Sequence, residues 1–152
     1  METKRIIFPE ANRAELVVEN LNPTTDDYVI VKTAISTVSA GTERANITGD
    51  ANVNGRNAPS VKFPRRPGYS SAGTVVEVGP AVTSVKPGDR VIVFWGSHSR
   101  YNVVREKNVL KIEDDRITFA QAALILISTF SMGAIRKCRF EMGEPSLVMG
   151  LG

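Results

Sequence analysis

The sequence predicts a mainly β fold with a helical segment towards its C-terminal end. Short segments rich in β-branched residues recur at about 8–12-residue spacing, with Gly and Pro turns between them, as in a β-barrel or sandwich. From Thr118 onward the apolar residues instead recur at steps of three and four, the spacing of one helix face. The chain has 152 residues, of which 42% are hydrophobic and 23% charged, and these are ordinary values for a globular protein.

Most of the predicted strands lie in the first three quarters of the chain. Alternating or β-branched patterns bounded by turn residues predict strands over 4–8, 15–20, 28–37, 71–78, 91–95, 101–104 and 109–112. Between the third and fourth strands, Thr42 is a candidate cap of a helical turn that ends at Gly49. Residues 50–66 are polar and contain prolines, and they predict a long loop that is either functional or mobile.

The helical segment begins with a recognisable capping pattern. Thr118 and Gln121 have the spacing of a capping box, in which each side chain satisfies a free backbone N–H at the helix start. We expect a break near Ser128 and Thr129, where two hydroxyls interrupt the apolar run. One helix face is predicted from the apolar and small residues Phe119, Ala122, Ala123, Leu126, Phe130, Gly133 and Ala134.

The sequence ends on an apolar run that leads into Gly-Leu-Gly at 150–152. This pattern is typical of the first strand of a dinucleotide-binding βαβ unit, with a simple turn as the alternative. The phosphate-binding helix that would complete such a unit does not follow. We therefore expect a fragment of a larger protein.

Charge and hydropathy exclude several classes of protein. Nineteen basic and sixteen acidic residues are scattered along the chain, and the densest basic cluster is Lys62, Arg65 and Arg66, so we expect no nucleic-acid partner. The longest apolar stretch, 122–127, is far short of the roughly 18–20 residues that a membrane span needs. No secretory signal is readable at the N-terminus. The expected location is cytoplasmic, with no membrane partner.

The order of the motifs resembles the medium-chain dehydrogenase/reductase superfamily. The resemblance rests on Ser-Ala-Gly-Thr-Glu-Arg at 39–44, Pro-Gly-Tyr at 67–69, Ser-Ala-Gly-Thr-Val-Val-Glu-Val-Gly at 71–79, Val-Lys-Pro-Gly-Asp-Arg-Val at 85–91 and the terminal Gly-Leu-Gly. It implies a GroES-like, partly open β-barrel over 1–144 that supplies the substrate site. It also implies that 145–152 start a truncated Rossmann domain for NAD(P).

The departures from this family bear on metal binding. In zinc-dependent members, cysteine and histidine ligands stand at positions that here hold Ser39, Tyr69 with Ser70, and approximately Ile125. A catalytic zinc needs three good nitrogen, sulfur or carboxylate ligands. Since the chain has one histidine and only Cys138 as a thiol, it cannot rebuild either zinc site of the family. We therefore predict a zinc-independent protein.

Without zinc, hydride transfer must depend on positioning and on hydrogen-bond donors for the substrate oxygen. Tyr69 takes the place of a zinc ligand, and we predict that it orients or protonates that oxygen, with Ser39 and Thr42 nearby. The alternative is that Tyr69 only packs its ring in the former metal site and bonds to the backbone.

Three residues are predicted to bind the cofactor. Thr129 matches a threonine that lies beside the nicotinamide ring in family members, although its hydroxyl could instead bond to a carbonyl one helical turn earlier. Gly150 and Gly152 match the glycines of the dinucleotide-binding turn. NAD and NADP are not distinguished, because the residue that reads the ribose would lie further along.

Other polar and aromatic residues are given structural roles. His98 resembles a family corner that precedes a strand. Glu43 and Arg44 either line the cleft or form a solvated pair on a helical turn, the interpretation we favour. Trp95 ends an apolar strand and is expected to pack.

The predicted function is the substrate-side domain of an NAD(P)-dependent oxidoreductase that acts on an alcohol, a carbonyl compound or an activated alkene. The expected partners are a small-molecule substrate and the rest of the Rossmann domain, with homodimers possible in the whole protein. We expect this chain alone to be inactive. A non-enzymatic GroES-like binding module and a pseudo-enzyme remain as alternatives.

Overall fold

The computed structural model describes residues 1–50 and 62–149. The strands are β1 (Glu2–Ile7), β2 (Glu15–Asn20), β3 (Tyr28–Ser36), β4 (Ser70–Val78), β5 (Arg90–Phe94), β6 (Tyr101–Arg105) and β7 (Val109–Lys111). The α-helices are α1 (Ala40–Thr48), α2 (Phe119–Ala123) and α3 (Ile125–Lys137). Most of the loop predicted over 50–66 lies outside the described residues.

An antiparallel sheet of five strands forms the body of the molecule, in the order β6-β3-β4-β5-β7. β1 and β2 pair with each other as a separate antiparallel ribbon. The ribbon is attached to the sheet through the backbone, where the Ile6 N–H donates to the His98 carbonyl at 2.9 Å. This mainly β arrangement of short strands confirms the predicted fold class.

Side chains on successive strand residues point to opposite faces of the sheet. Each face of the sheet contributes to its own buried apolar cluster. One face packs Ala72, Ile92 and Ile112 against Ala122 and Ala123 of α2. The other face carries a cluster of valines that are at most 1% exposed: Val29, Val31, Val75, Val91 and Val93.

The pairing of β3 with β4 is irregular, and this curves the sheet. The register shifts between Ile30 and Val31 and again between Thr33 and Ile35. Such irregularities increase the local twist and bend a strand. Opposite the second shift the strands lie so close that a Cβ on Gly73 would overlap the Lys32 carbonyl oxygen. The sheet is thereby curled into an open half-barrel.

The short helix α1 begins earlier than predicted. Ser39 is the N-cap residue and Ala40 the first helical residue, so Thr42 lies within the first turn and is not the cap. The predicted end is confirmed: Gly49 has the left-handed φ of 70° that glycine adopts without steric cost.

The capping box at the start of α2 is confirmed, since the Thr118 hydroxyl accepts from the Gln121 N–H and the Gln121 side chain reaches back. The predicted break near 128–129 is wrong, because the helices separate at Leu124. Just before this break, the Ala123 carbonyl accepts hydrogen bonds from the hydroxyls of Ser70 at 2.6 Å and Thr37 at 2.8 Å.

The last described segment, 145–149, forms neither helix nor strand. A strand is recognised only when a neighbour pairs with it, so the predicted Rossmann strand stays a prediction. Within residues 1–50 and 62–149, no helix has the length and apolar character required to span a bilayer.

Candidate functional site

Side chains from four parts of the fold meet at one surface cleft of about 210 Å³. Thr42 comes from α1, Tyr69 directly precedes β4, Trp95 directly follows β5, and Phe130 comes from α3. Because Ser70 and Phe94 are paired in the β4–β5 ladder, Tyr69 and Trp95 are brought side by side. The cleft thus lies at the end of these two strands.

Tyr69 and Trp95 are joined through both backbone and rings. The Trp95 N–H donates to the Tyr69 carbonyl at 2.8 Å. The ring centroids lie 6.2 Å apart with planes inclined by 36°, a tilted arrangement within the favourable range for aromatic pairs. This pairing leaves the Tyr69 ring half-buried at the wall of the cleft.

Trp95 does not pack into the core, so that expectation is wrong. Continuing the alternation of β5 would put it on the same face as Val91 and Val93. Its backbone is left-handed instead, with φ of 59°, and its residue surface is 68% exposed. The left-handed conformation breaks the alternation and places the indole at the cleft.

The hydroxyls of Ser39 and Thr42 form a short relay. The Ser39 Oγ donates to the Thr42 Oγ1 at 3.1 Å, which leaves the Thr42 proton available for another acceptor. Thr42 lines the cleft and Ser39 lies beside it at the start of α1. The structure therefore brings Thr42 together with Tyr69, and it connects Ser39 to the cleft through Thr42.

A buried polar group next to the cleft could not be read from the sequence. The His98 Nδ1 lies 2.9 Å from the Ser36 Oγ, and its Nε2 lies 3.2 Å from the Glu43 Oε1. The same carboxylate oxygen accepts the Gly68 N–H at 3.2 Å. Since α1 contributes Glu43 and the segment before β4 contributes Gly68, this network ties together two walls of the cleft.

Glu43 is therefore not the solvated residue we favoured, whereas Arg44 is exposed. The side chain of Glu43 is only 12% exposed, and its second oxygen is buried without a hydrogen-bond partner among the described residues. His98 and Glu43 are separated by 55 residues in the sequence, and no motif signalled their contact. The one available signal was that Glu43 directly follows Thr42 in the family-like motif.

The described residues that line the cleft do not offer the usual ligands of a catalytic zinc. The polar side chains that line the cleft are the hydroxyls of Thr42 and Tyr69, and zinc prefers thiolate, imidazole and carboxylate ligands. Over 1–50 and 62–149, no group of three His, Cys, Asp or Glu residues is placed to hold a metal ion. Both ring nitrogens of His98 already lie against other side chains, and Cys138 is exposed at the end of α3.

The predicted cofactor residues are only partly described. The Thr129 Oγ1 donates to the Leu126 carbonyl at 2.6 Å, which is the structural alternative considered for this residue. Thr129 directly precedes Phe130 at the cleft, and its contact with a nicotinamide ring stays a prediction. Gly150 and Gly152 lie outside the described residues.

Comparisons with known proteins identify the family and several relatives. The family model for the alcohol dehydrogenase GroES-like domain matches residues 25–114. The chain is similar to the chloroplastic NADPH-dependent alkenal/one oxidoreductase of Arabidopsis thaliana, with 37% identity over 57% of this chain and 25% of the relative. It is also 34% identical to the 2-desacetyl-2-hydroxyethyl bacteriochlorophyllide A dehydrogenase of Cereibacter sphaeroides, over 61% of this chain and 28% of that protein.

Solved structures share the fold. The quinone oxidoreductase of Pseudomonas syringae superposes with a TM-score of 0.73 at 26% identity, over 90% of this chain and 41% of that chain. The quinone oxidoreductase of Coxiella burnetii superposes with a TM-score of 0.76 over 95% of this chain and 47% of that chain, and at 19% identity it shows the fold alone. This chain thus matches about a quarter of the curated relatives' length and under half of the solved structures.

The family match covers more than half of the chain and contains most of the cleft. Residues 25–114 include the whole five-stranded sheet together with Thr42, Tyr69 and Trp95. The sequence motifs, the curled sheet and the family match agree with one another. The chain therefore belongs to the alcohol dehydrogenase GroES-like domain family, within the medium-chain dehydrogenase/reductase superfamily.

Proposed function

We propose that this chain supplies the substrate site of a zinc-independent oxidoreductase that transfers hydride between NAD(P) and an alcohol, a carbonyl compound or an activated alkene. The observation that carries the proposal is the cleft, in which two hydroxyl donors, Tyr69 and Thr42, stand among apolar walls. The names of two similar proteins, an alkenal/one oxidoreductase and a quinone oxidoreductase, support the carbonyl and activated-alkene branch.

Tyr69 is the main donor to the substrate oxygen. When hydride reaches a carbonyl carbon, or the far carbon of a conjugated alkene, the electron pair of the double bond moves towards oxygen. A phenolic O–H held against that oxygen stabilises the developing charge and can protonate the oxygen. For a carbonyl substrate this proton completes the reduction to the alcohol. For a conjugated alkene it gives the enol, which then tautomerises to the saturated carbonyl compound. Solvent then returns a proton to Tyr69, which is half-buried and open to the cleft.

Thr42 adds a second donor to the same cleft. Its oxygen accepts the Ser39 proton at 3.1 Å, and hydrogen bonds in such a chain polarise one another. The Thr42 proton is thereby directed to an acceptor other than Ser39. We assign Ser39 and Thr42 to orientation of the substrate oxygen and Tyr69 to its protonation.

NADH or NADPH, when bound, supplies the hydride in reduction. On this chain, Thr129 would contact the nicotinamide end, and Gly150 and Gly152 would begin the turn that holds the phosphates. One similar protein is named as NADPH-dependent. The proposal does not distinguish NAD from NADP, and the rates of NADH and NADPH oxidation measure the preference.

Zinc independence is supported by the donor set of the cleft. By the family resemblance, Tyr69 matches the position of a zinc ligand in zinc-dependent members, and His98 is held by Ser36 and Glu43. Neutral hydroxyls are weak zinc ligands, whereas they are good donors to an oxyanion. The proposed chemistry therefore uses hydrogen bonds in the role that a metal plays elsewhere.

The proposal is tested by assaying the full-length protein that carries this chain. We expect oxidation of NADPH or NADH with trans-2-hexenal or menadione as acceptor, at a rate that dialysis against EDTA leaves unchanged. Metal analysis should find far less than one zinc per chain. Loss of activity on chelation with recovery on added zinc would overturn the zinc-independent mechanism. A well-folded protein with no turnover of aldehydes, ketones, enones or alcohols would instead favour the binding module or pseudo-enzyme.

The location and assembly of the whole protein are further parts of the proposal. A cytoplasmic location stays a prediction, since one similar protein is named as chloroplastic. Homodimer formation likewise stays a prediction, to be measured by sedimentation of the full-length protein.

A further inference from the structure

Two arginines meet at a polar cavity between the β1–β2 ribbon and the five-stranded sheet. Arg5 comes from β1, and Arg66 comes from the segment before β4. The cavity consists of two recesses of about 310 and 300 Å³, and both arginines and Val103 of β6 line each of them. The two recesses therefore share a wall that carries both guanidinium groups.

The guanidinium of Arg5 is enclosed by the fold and has few acceptors. The side chain is only 12% exposed, and its Nε is buried without a hydrogen-bond partner among the described residues. Burial lowers the pKa of Arg5, Glu19 opposes this change, and Arg66 adds to it. An arginine nevertheless keeps its charge at neutral pH. Since an enclosed cation is costly unless acceptors surround it, a further anionic acceptor would stabilise Arg5.

One carboxylate is shared by the two arginines. The Glu19 Oε2 lies 3.2 Å from the Arg5 Nη1, and the Glu19 Oε1 accepts from the Arg66 Nη2 at 3.2 Å. Among the residues that line the two recesses, these three are the charged ones, so the cavity keeps one uncompensated positive charge.

The second recess holds the positive charge without the carboxylate. Glu19 lines the first recess only, whereas both arginines line the second, together with Ser97 and Asn102. The Arg66 side chain is 61% exposed, and an exposed ion pair of this kind is weak. Arg66 can therefore turn donors towards an anion in the second recess at little cost.

We propose that Arg5 and Arg66 form a binding site for the carboxylate of a small organic acid. The single uncompensated charge matches a monovalent anion, and a planar carboxylate accepts paired hydrogen bonds from the guanidinium fork. A phosphate group carries close to two negative charges at neutral pH and would reverse the sign of the charge in the cavity. The second recess, at about 300 Å³, also has room for a short carbon chain. This inference is independent of the proposed function, because the hydroxyls of the cleft take no part in it.

The test titrates sodium butyrate into the ¹⁵N-labelled chain at neutral pH, with butyramide as the neutral ligand of the same carbon skeleton. Sodium chloride holds the ionic strength constant, so that charge screening is equal throughout. Trp95 is the single tryptophan of the chain and lines the second recess, so its indole N–H signal reports occupancy. We expect a Kd for butyrate at least about tenfold below that for butyramide. Inorganic phosphate, titrated in the same way, should bind more weakly than butyrate.

Two variants at the cavity should change the Kd of butyrate in opposite directions. Arg66→Gln removes an exposed donor, which the fold tolerates, and should weaken butyrate about tenfold. Glu19→Gln removes the carboxylate that competes for both arginines and should tighten butyrate severalfold. The matched control is Arg116→Gln, which removes an exposed arginine bonded to Asp114 outside the cavity and should leave the Kd unchanged. Circular dichroism checks that each variant keeps the fold.

Four results would overturn the inference. They are equal affinities for butyrate and butyramide, no binding of butyrate, tighter binding of phosphate than of butyrate, and an Arg66→Gln variant with unchanged affinity. Because the titrations measure binding to this chain, their outcome is separate from whether the full-length protein transfers hydride.

Discussion

The five-stranded sheet and the helix α3 are both rich in apolar residues, yet their surroundings are opposite. The valines of β3, β4 and β5 form a buried cluster on one face of the sheet. The helix α2 covers the other face. No residue of α3 is buried, and Phe130 is 61% exposed. Stability is therefore concentrated in the sheet, whereas α3 presents its apolar face and contributes one wall of the cleft.

The difference shows what an apolar pattern can establish. The recurrence of apolar residues at helical spacing correctly predicted a helix, and within that pattern Ala122 and Ala123 are fully buried under the sheet. The same pattern continues into α3, where Phe130 and Met132 are exposed. An apolar pattern identifies which face of a helix can be buried. Whether another part of the protein packs on that face depends on the tertiary structure.

The sharpest contrast is between two glycines, one in each region. In β4, Gly73→Ala would force a Cβ against the Lys32 carbonyl oxygen of the neighbouring backbone, which cannot move without opening the sheet. We expect a loss of about 3 kcal/mol or more in the free energy of unfolding. In α3, a Cβ added by Gly133→Ala meets no atom of the described residues within 4 Å apart from the nearby backbone of its own helix, and the change should stabilise the helix by up to about 1 kcal/mol. Urea unfolding of both variants measures the contrast, and similar effects at the two sites would contradict it.

A second pair compares side-chain truncation in the two regions. Val75→Ala removes buried methyl groups from the valine cluster and should cost about 2–3 kcal/mol. Phe130→Ala removes a larger but exposed side chain and should change stability by less than about 0.5 kcal/mol. Chemical denaturation followed by circular dichroism tests both values. A larger cost for Phe130→Ala would mean that α3 is packed in solution.

The junction between the two regions is the Ala123 carbonyl. Ser70→Ala removes the buried donor that lies 2.6 Å from this carbonyl, and it should lower the free energy of unfolding by about 1 kcal/mol. Thr37→Val removes the partly buried donor at 2.8 Å and should lower it somewhat less. The double variant should lose more than the sum, because the carbonyl then lacks both donors. Hydrogen exchange should show faster exchange in α2 and α3 than in β4. Uniform acceleration over the whole chain would argue against a local anchor.

The smallest expected effect is a pH dependence of stability at Glu106, which directly follows the edge strand β6. The Glu106 carboxylate accepts the Ser84 N–H at 2.6 Å and the Thr83 N–H at 2.8 Å, and these bonds lower the pKa of Glu106. Since the folded pKa lies below the unfolded value, this stabilisation is complete above the unfolded pKa and is lost as pH falls through the folded one. Glu106→Gln should flatten the acid side of the stability profile, whereas Glu113→Gln, an exposed control, should not. Identical profiles for wild type and Glu106→Gln would contradict this.

Much of the fold could be predicted because its determinants are local. The β-branched run of β4, the capping box of Thr118 and the turn at Gly49 each act within a few residues, and each was found within one or two positions. The break at Leu124 was missed because it coincides with hydrogen bonds from distant residues, namely Ser70 of β4 and Thr37, which directly follows β3.

The site was less predictable for the same reason. Tyr69 and Thr42 were identified through the resemblance to a family, and the structure places both in one cleft. Trp95 was misplaced because its left-handed backbone breaks the alternation on which the prediction relied. The contact of His98 with Glu43 joins residues 55 positions apart, which spacing alone does not reveal.

The most direct test concerns the hydroxyl of Tyr69 in the full-length protein that carries this chain. Tyr69→Phe keeps the ring beside Trp95 and removes only the donor to the substrate oxygen. We predict that kcat/KM falls about 100-fold with unchanged stability. The matched control Tyr28→Phe, which removes a hydroxyl bonded to Glu77 on the exposed surface, should keep wild-type activity. A Tyr69→Phe variant with near wild-type kcat/KM would contradict the assignment of the cleft as a hydroxyl-based catalytic site.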